Sequence, residues 1–121
     1  MTPSRPYLIR ALYDWITDNN LTPHILVDAE VEGVMVPNSA VNDGKVTLNI
    51  GPTAVKHLVL GNNRIEFEAR FQGISQSVVL PVMSVMALYA RENSQGMMFP
   101  PENGEDEDSA ESSRPGLRVV K

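Results

Sequence analysis

Three aliphatic side chains and three cations share the last eight residues, Arg114-Pro115-Gly116-Leu117-Arg118-Val119-Val120-Lys121, directly after a stretch that contains no base. That pattern suits recognition and not bond-making: Leu117, Val119 and Val120 are anchors for a partner's edge or groove, and the cations steer the encounter. A tail serving solubility alone would not end so; the competing reading is a C-terminal strand folded back on its own domain. Elsewhere the reactive side chains are scattered. The absence of cysteine removes thiolate zinc sites, cysteine nucleophiles and disulfides together. His24 and His57 stand apart from any spaced carboxylate cluster, so neither a metal nor another cofactor is expected. Glu105 to Asp108 lack the glycine and spaced oxygens of a calcium loop. No Gly-rich phosphate loop or nucleophile elbow occurs, and Ser, His and Asp coexist without triad spacing, so the chain reads as a non-enzyme.

The body that carries this tail is small. With 121 residues in all, only about 100 remain for a core once the polar tail is set aside, which allows one domain. A hydrophobic fraction of 42% with 21% charge belongs to a globular chain and excludes wholesale disorder. The net charge of −5 is a poor match for phosphate-dominated recognition, so no direct nucleic-acid partner is expected. Residues 1–101 carry seven Lys/Arg against nine Asp/Glu, whereas 102–113 carry six acids and no base. The first six residues, Met-Thr-Pro-Ser-Arg-Pro, lack the apolar core of a signal peptide, and no apolar run approaches ~18 residues, which implies a cytoplasmic protein without a membrane partner.

Residues 6–20 place Leu8, Leu12, Trp15 and Ile16 at helical spacing, with Pro6 suited to the first turn and Asn19 and Asn20 as stops. Tyr7, Ile9 and Tyr13 lie outside that stripe, so the helix is apolar over more surface than one small core requires. A second helix or a partner subunit would cover the excess. Beyond Pro23 the period changes. Strands are expected over 24–32 and Val34–Val36 with a bend at Gly33, and over 45–50 after the Asn42-Asp43-Gly44 turn. Another runs over 64–71, where Ile65, Phe67, Ala69 and Phe71 alternate with Glu66, Glu68 and Arg70. A further strand follows over 74–82, with Pro81 marking an edge or an end. His57–Leu60 is a short apolar run, and 83–91 fits a short helix or a buried strand equally. The expected fold is mainly β with an N-terminal α-helix, a small bent antiparallel sheet or partly open barrel. Past Phe99, Pro100 and Pro101 are followed by the polar, acidic residues 102–113, which cannot bury enough surface to offset ordering entropy, so a disordered acidic C-terminal tail is expected.

Arg5-Pro6-Tyr7-Leu8, Asp28, Val46–Ile50, Phe67–Phe71, Tyr89-Ala90-Arg91-Glu92-Asn93, Met98-Phe99 and terminal Leu117–Lys121 together resemble the stringent starvation protein B (SspB) family, nearly end to end. Tyr-Ala-Arg-Glu-Asn and Leu-Arg-Val-Val-Lys on opposite sides of an acidic linker form a specific signature. The resemblance implies an Sm-like barrel and homodimerisation through the helix, with Tyr7, Leu8 and Ala11 at the interface. It implies a groove for the ssrA degradation tag of stalled-translation products, for which Asn49, Ile50, Ala69, Arg70 and Phe71 are the matching candidates. It also implies that Leu117, Arg118, Val119, Val120 and Lys121, extended by Arg114 and Pro115, dock on the N-terminal domain of ClpX to enhance degradation by ClpXP. Ser113 and Gly116 stand where the family pattern has glycine and alanine. The organisation that follows is a tag-binding and dimerisation domain over 1–101, a linker over 102–113 and a docking motif over 114–121. The ordinary role for Ile65, Phe67, Ala69 and Phe71 is core, for Arg70 a solvated strand residue, and for Asn49 pairing within its own turn. Ala69 is small enough among large neighbours to admit another backbone. An Sm-like RNA-binding protein is the alternative function, disfavoured by the acidic balance and the lack of a basic aromatic patch.

Overall fold

The computed structural model describes residues 3–100, so the linker 102–113 and the docking residues Arg114 to Lys121 lie outside the described residues. Helix α1 (Arg5–Asp18) opens with Pro6 in its first turn, where a missing N–H is no loss. At its other end Asn20 takes a φ of 62°. Its N–H donates to the Thr17 carbonyl at 3.0 Å, and the Leu21 N–H donates to the Ile16 carbonyl at 3.0 Å. This Schellman arrangement consumes two of the carbonyls that a helix end leaves over, in a conformation asparagine tolerates well.

Ile9, Leu12 and Ile16 are the fully buried apolar side chains of α1, while Leu8 is half-buried. Trp15, expected on the buried stripe, is instead 49% exposed, and Ile9 takes its place. The stripe through Arg5, Ile9, Leu12 and Ile16 lies one step round the helix from the one expected.

Among the described residues seven strands follow: β1 (Pro23–Asp28), β2 (Lys45–Asn49), β3 (Val55–Leu60), β4 (Arg64–Phe71), β5 (Ile74–Pro81), β6 (Val85–Ala90) and β7 (Gly96–Met98). They form two antiparallel sheets, in the order β2-β1-β6-β7 and β3-β4-β5. The fold is thus mainly β with one N-terminal helix, as expected, and the sheets remain open where a barrel would close. The core lies between them and α1, built by Ile25 and Val27 of β1, Val46 and Leu48 of β2, Ile65 and Phe67 of β4, Val78 and Leu80 of β5 and Leu88 of β6.

Two expectations need correcting, and one open alternative is resolved. The strand expected over 24–32 stops at Asp28, because the Asp28 carboxylate accepts the Glu30 N–H at 3.0 Å and turns the chain. Val34–Val36 form no strand; Met35 makes a single bridge to Val79, cut short by Gly33 at a φ of +96° and by Pro37. Residues 83–91 resolve into a 3-10 turn, Val82–Ser84, followed by β6. Val85, Ala87, Leu88 and Ala90 of β6 are all buried, as suits a strand flanked on both sides.

β7 has no counterpart among the expected strands. Its three residues are exposed, and its place beside β6 depends on Gly96, where a Cβ would collide with the Leu88 carbonyl oxygen and the Tyr89 Cα. Replacing Gly96→Ala is therefore expected to destabilise the domain by ~2 kcal/mol or more, read as a lower urea midpoint, with loss of amide protection at Phe99, whose N–H donates to the Met86 carbonyl. Unchanged protection there would show that β7 tolerates a side chain.

Candidate functional site

Ile65, Phe67, Ala69 and Phe71 share one face of β4, but burial fades along it. Ile65 and Phe67 are buried, whereas Ala69 and Phe71 are half-buried and pack at the margin of the core. The partner strand behaves alike: Val78 and Leu80 of β5 are buried while Ile74, Ser75, Gln76 and Ser77 are exposed. Gln72 and Gly73, with φ of 54° and 83°, close the hairpin as a tight two-residue turn whose twist suits the strands. The distal half of the β4–β5 hairpin therefore projects past the core with an apolar inner face.

β2 ends beside the start of β3. The turn from Gly51 to Ala54, held by the Ala54 N–H donating to the Gly51 carbonyl at 2.9 Å, leads into β3, whose Val55 pairs with Ala69. Asn49 is exposed, and its Oδ1 accepts the Gly51 N–H at 2.8 Å, the within-turn role weighed above. Ile50 is 0% exposed, so its side chain belongs to the core and only its backbone borders the site. Arg70 is exposed, and its Nη1 donates to the Gly73 carbonyl at 3.1 Å, lying along its own hairpin. Of the five candidates, Asn49, Arg70 and the half-buried Ala69 and Phe71 offer side-chain surface.

A polar cleft of about 450 Å³ adjoins Asn49, between the end of α1, the start of β1 and the end of β6. Arg91 and Thr53 line it with Asn49. The cleft's walls are stapled by Glu92, whose carboxylate accepts both the Thr22 N–H at 2.8 Å and the Thr22 hydroxyl at 2.7 Å. These bonds hold the Glu92 carboxyl below its ordinary value, with smaller help from Arg91. Neither Arg91 nor Thr22 figured among the expected site residues, although Arg91 and Glu92 sit in the Tyr-Ala-Arg-Glu-Asn signature.

Tyr7, Ala11 and Trp15 are exposed along one face of α1, with Tyr7 at 51%. The spacing of four places them in line. Arg10 lies over the Tyr7 ring at 4.7 Å and donates to the Leu60 carbonyl at 3.0 Å. The stripe is apolar and uncovered among the described residues. Among those residues, too, no three His, Asp or Glu side chains cluster as a metal site would require.

The family model described as Stringent starvation protein B matches residues 3–120 of the chain. The Stringent starvation protein B homolog of Haemophilus influenzae is 48% identical over 106 residues, covering 88% of this chain and 71% of that protein.

His24 sits in β1 between Asn49 of β2 and Tyr89 of β6, its ring tilted 59° to that of Tyr89 at 6.0 Å. Its Nε2 is buried without a hydrogen-bond partner. Burial chiefly, and the Arg91 charge next, lower its pKa below the ordinary 6.5, while Glu92 opposes them. A depressed imidazole binds fewer protons folded than unfolded, so stability is full above the ordinary value and falls as pH drops through it toward the folded value. Glu92, also depressed, contributes stability that is lost only below its ordinary 4.5. The urea midpoint is accordingly expected to fall between about pH 7.5 and pH 5.5, and to fall less in His24→Gln; equal slopes would assign the pH dependence to other groups.

Proposed function

The chain belongs to the stringent starvation protein B family, and on that premise we propose that it is a proteolysis adaptor without catalytic activity of its own. It grips the ssrA degradation tag in extended form and tethers the tagged protein to ClpX, so that ClpXP degrades it faster. The observation that carries this reading is the β4–β5 hairpin outrunning the core. Ala69 and Phe71 continue the face of the buried Ile65 and Phe67 yet remain half-buried, which is what an apolar groove needs to hold another chain against it. Ala69 lets a backbone come close, Phe71 supplies apolar contact, and Arg70 and Asn49 supply polar groups at the rim. Ile50 contributes through its backbone.

The second half of the mechanism lies in the tail. The family match extends to residue 120, so it takes in Leu117, Arg118, Val119 and Val120, which with Lys121, Arg114 and Pro115 form the ClpX-docking motif. For a linker of the length of residues 102–113, flexible-coil scaling gives a reach of about 20 Å. Binding at both ends turns the second capture into an intramolecular event, so each contact can be modest while delivery is efficient. A homodimer provides two tails and two grooves, joined through Tyr7, Leu8, Ala11 and the neighbouring Trp15. On this reading the protein works in the cytoplasm, beside its protease. Separately, no helix among the described residues is long and apolar enough to cross a membrane.

Titration of a fluorescent ssrA peptide is expected to give saturable anisotropy, and Ala69→Gln is expected to weaken it by roughly tenfold with an unchanged melting curve. Removing Leu117–Lys121 leaves that titration intact and abolishes the enhancement of ClpXP degradation. If the intact chain binds no tag, the adaptor reading is wrong; if the truncation loses tag binding as well, the tail is part of the fold. A separate check addresses the stripe on α1: Tyr7→Asp is expected to halve the mass seen by light scattering, and an unchanged mass places the subunit contact elsewhere.

A further inference from the structure

The polar cleft beside Asn49 differs in chemistry from the apolar groove along β4. Arg91 is the one charged side chain among its lining residues, although the chain as a whole carries a net charge of −5. Its guanidinium is 60% exposed and lies 3.6 Å from Glu92. Glu92 is not among the lining residues; its two oxygens accept from Thr22, and the single contact of its Oε2 with Nη2 leaves other guanidinium donors for a ligand. Asn49 uses its Oδ1 on Gly51, which leaves its Nδ2 amino group as a donor. Thr53 adds a hydroxyl on the same side.

The backbone that carries the guanidinium is anchored. The Arg91 backbone N–H donates to the Thr22 carbonyl at 2.9 Å, and Thr22 in turn is held by the Glu92 carboxylate at two points. The end of β6 is therefore fixed against the start of β1, which sets where the Arg91 side chain leaves the backbone. A cationic fork, an amide N–H₂ and a hydroxyl converging on one pocket complement an acceptor with two oxygens.

We propose that this cleft is a carboxylate subsite: it takes one carboxylate of the extended peptide whose neighbouring residues lie against Ala69 and Phe71. The inference rests on the peptide-binding reading above and gives that site its preference for acidic chains. A carboxylate has two sources in a peptide, an acidic side chain and the free C-terminus, and both present the same pair of oxygens.

The test uses the full chain and four fluorescent peptides: the ssrA tag, the tag with its Asp and Glu replaced by Asn and Gln, the tag with an amidated C-terminus, and the tag with both changes. Arg91→Gln is expected to weaken binding of the unmodified tag roughly tenfold, a discounted figure for a half-exposed pair, and to change binding of the doubly modified peptide less than twofold. Arg91→Lys restores part of the loss. The singly modified peptide that has become insensitive to Arg91→Gln identifies the source of the carboxylate. Added salt weakens the unmodified tag on the wild-type protein and spares the doubly modified one, an outcome that needs no folded variant. Equal losses for all four peptides, or equal salt slopes, overturn the subsite while leaving the groove standing. Failure of the wild-type protein to bind any of the four overturns both.

Discussion

Burial along β4 ends at Phe67 although the strand runs on to Phe71, and this mismatch between the length of a strand and the depth of a core governs what the surface can do. A core of this size is set by what α1 and the two sheets can enclose, and full burial on the hairpin ends at Phe67 and Val78. Beyond them, backbone pairing with β3 and β5 and the marginal packing of Ala69 and Phe71 hold β4 in place. Its register from Arg64↔Pro81 to Phe71↔Ile74 is unbroken, so the projecting half is as ordered as the buried half. An apolar face that is rigid but uncovered is a docking surface already made, because a ligand need not organise it.

The opposite end of the molecule is organised around Arg5. Its guanidinium is buried, donates to the Met83 and Val85 carbonyls at 3.3 Å each and to the Pro100 carbonyl, and lies over the Phe99 ring at 5.4 Å. Carbonyls buried without a donor would each cost about 1–3 kcal/mol, so one side chain fixes the start of α1, the start of β6 and the point where the chain leaves the described domain. Arg5, Asn62, Asn63 and Pro81 line one hollow, which places this exit at the Arg64 end of β4. β4 has 8 residues and is therefore about 26 Å long. The hairpin tip and Pro100, the last described residue, therefore stand at opposite ends of β4.

Much of this was legible in the residues. Strict alternation over 64–71 announces β4, and Asn19-Asn20 before Pro23 announces the end of α1, because each signal depends only on local sterics and hydrogen bonding. The misreadings share a different cause. Trp15 looks like a core residue by type, but which face of a helix is buried is decided by the sheet it meets. Val34–Val36 has strand composition, but a strand needs a neighbour, and only Val79 is within reach of Met35. β7 is fixed by the close approach of Gly96 to Leu88 and Tyr89, a long-range packing fact that three residues cannot encode. At the candidate site, Ala69 and Phe71 follow from alternation, whereas Arg91 and Thr22 are brought to Asn49 only by the β2-β1-β6 order.

That order also answers how an acidic chain can favour an acidic partner. Charge more than about 8 Å away is largely screened at physiological ionic strength, so the net charge of −5 says little about any single site. What a docked carboxylate meets is local: Arg91 across the cleft and Arg70 along the hairpin. Glu92 offsets part of the first, since its Oε2 lies 3.6 Å from the Arg91 guanidinium, but both of its oxygens also accept from Thr22. The two bonds that staple β6 to β1 thus occupy much of that carboxylate's accepting capacity and leave guanidinium donors for a ligand.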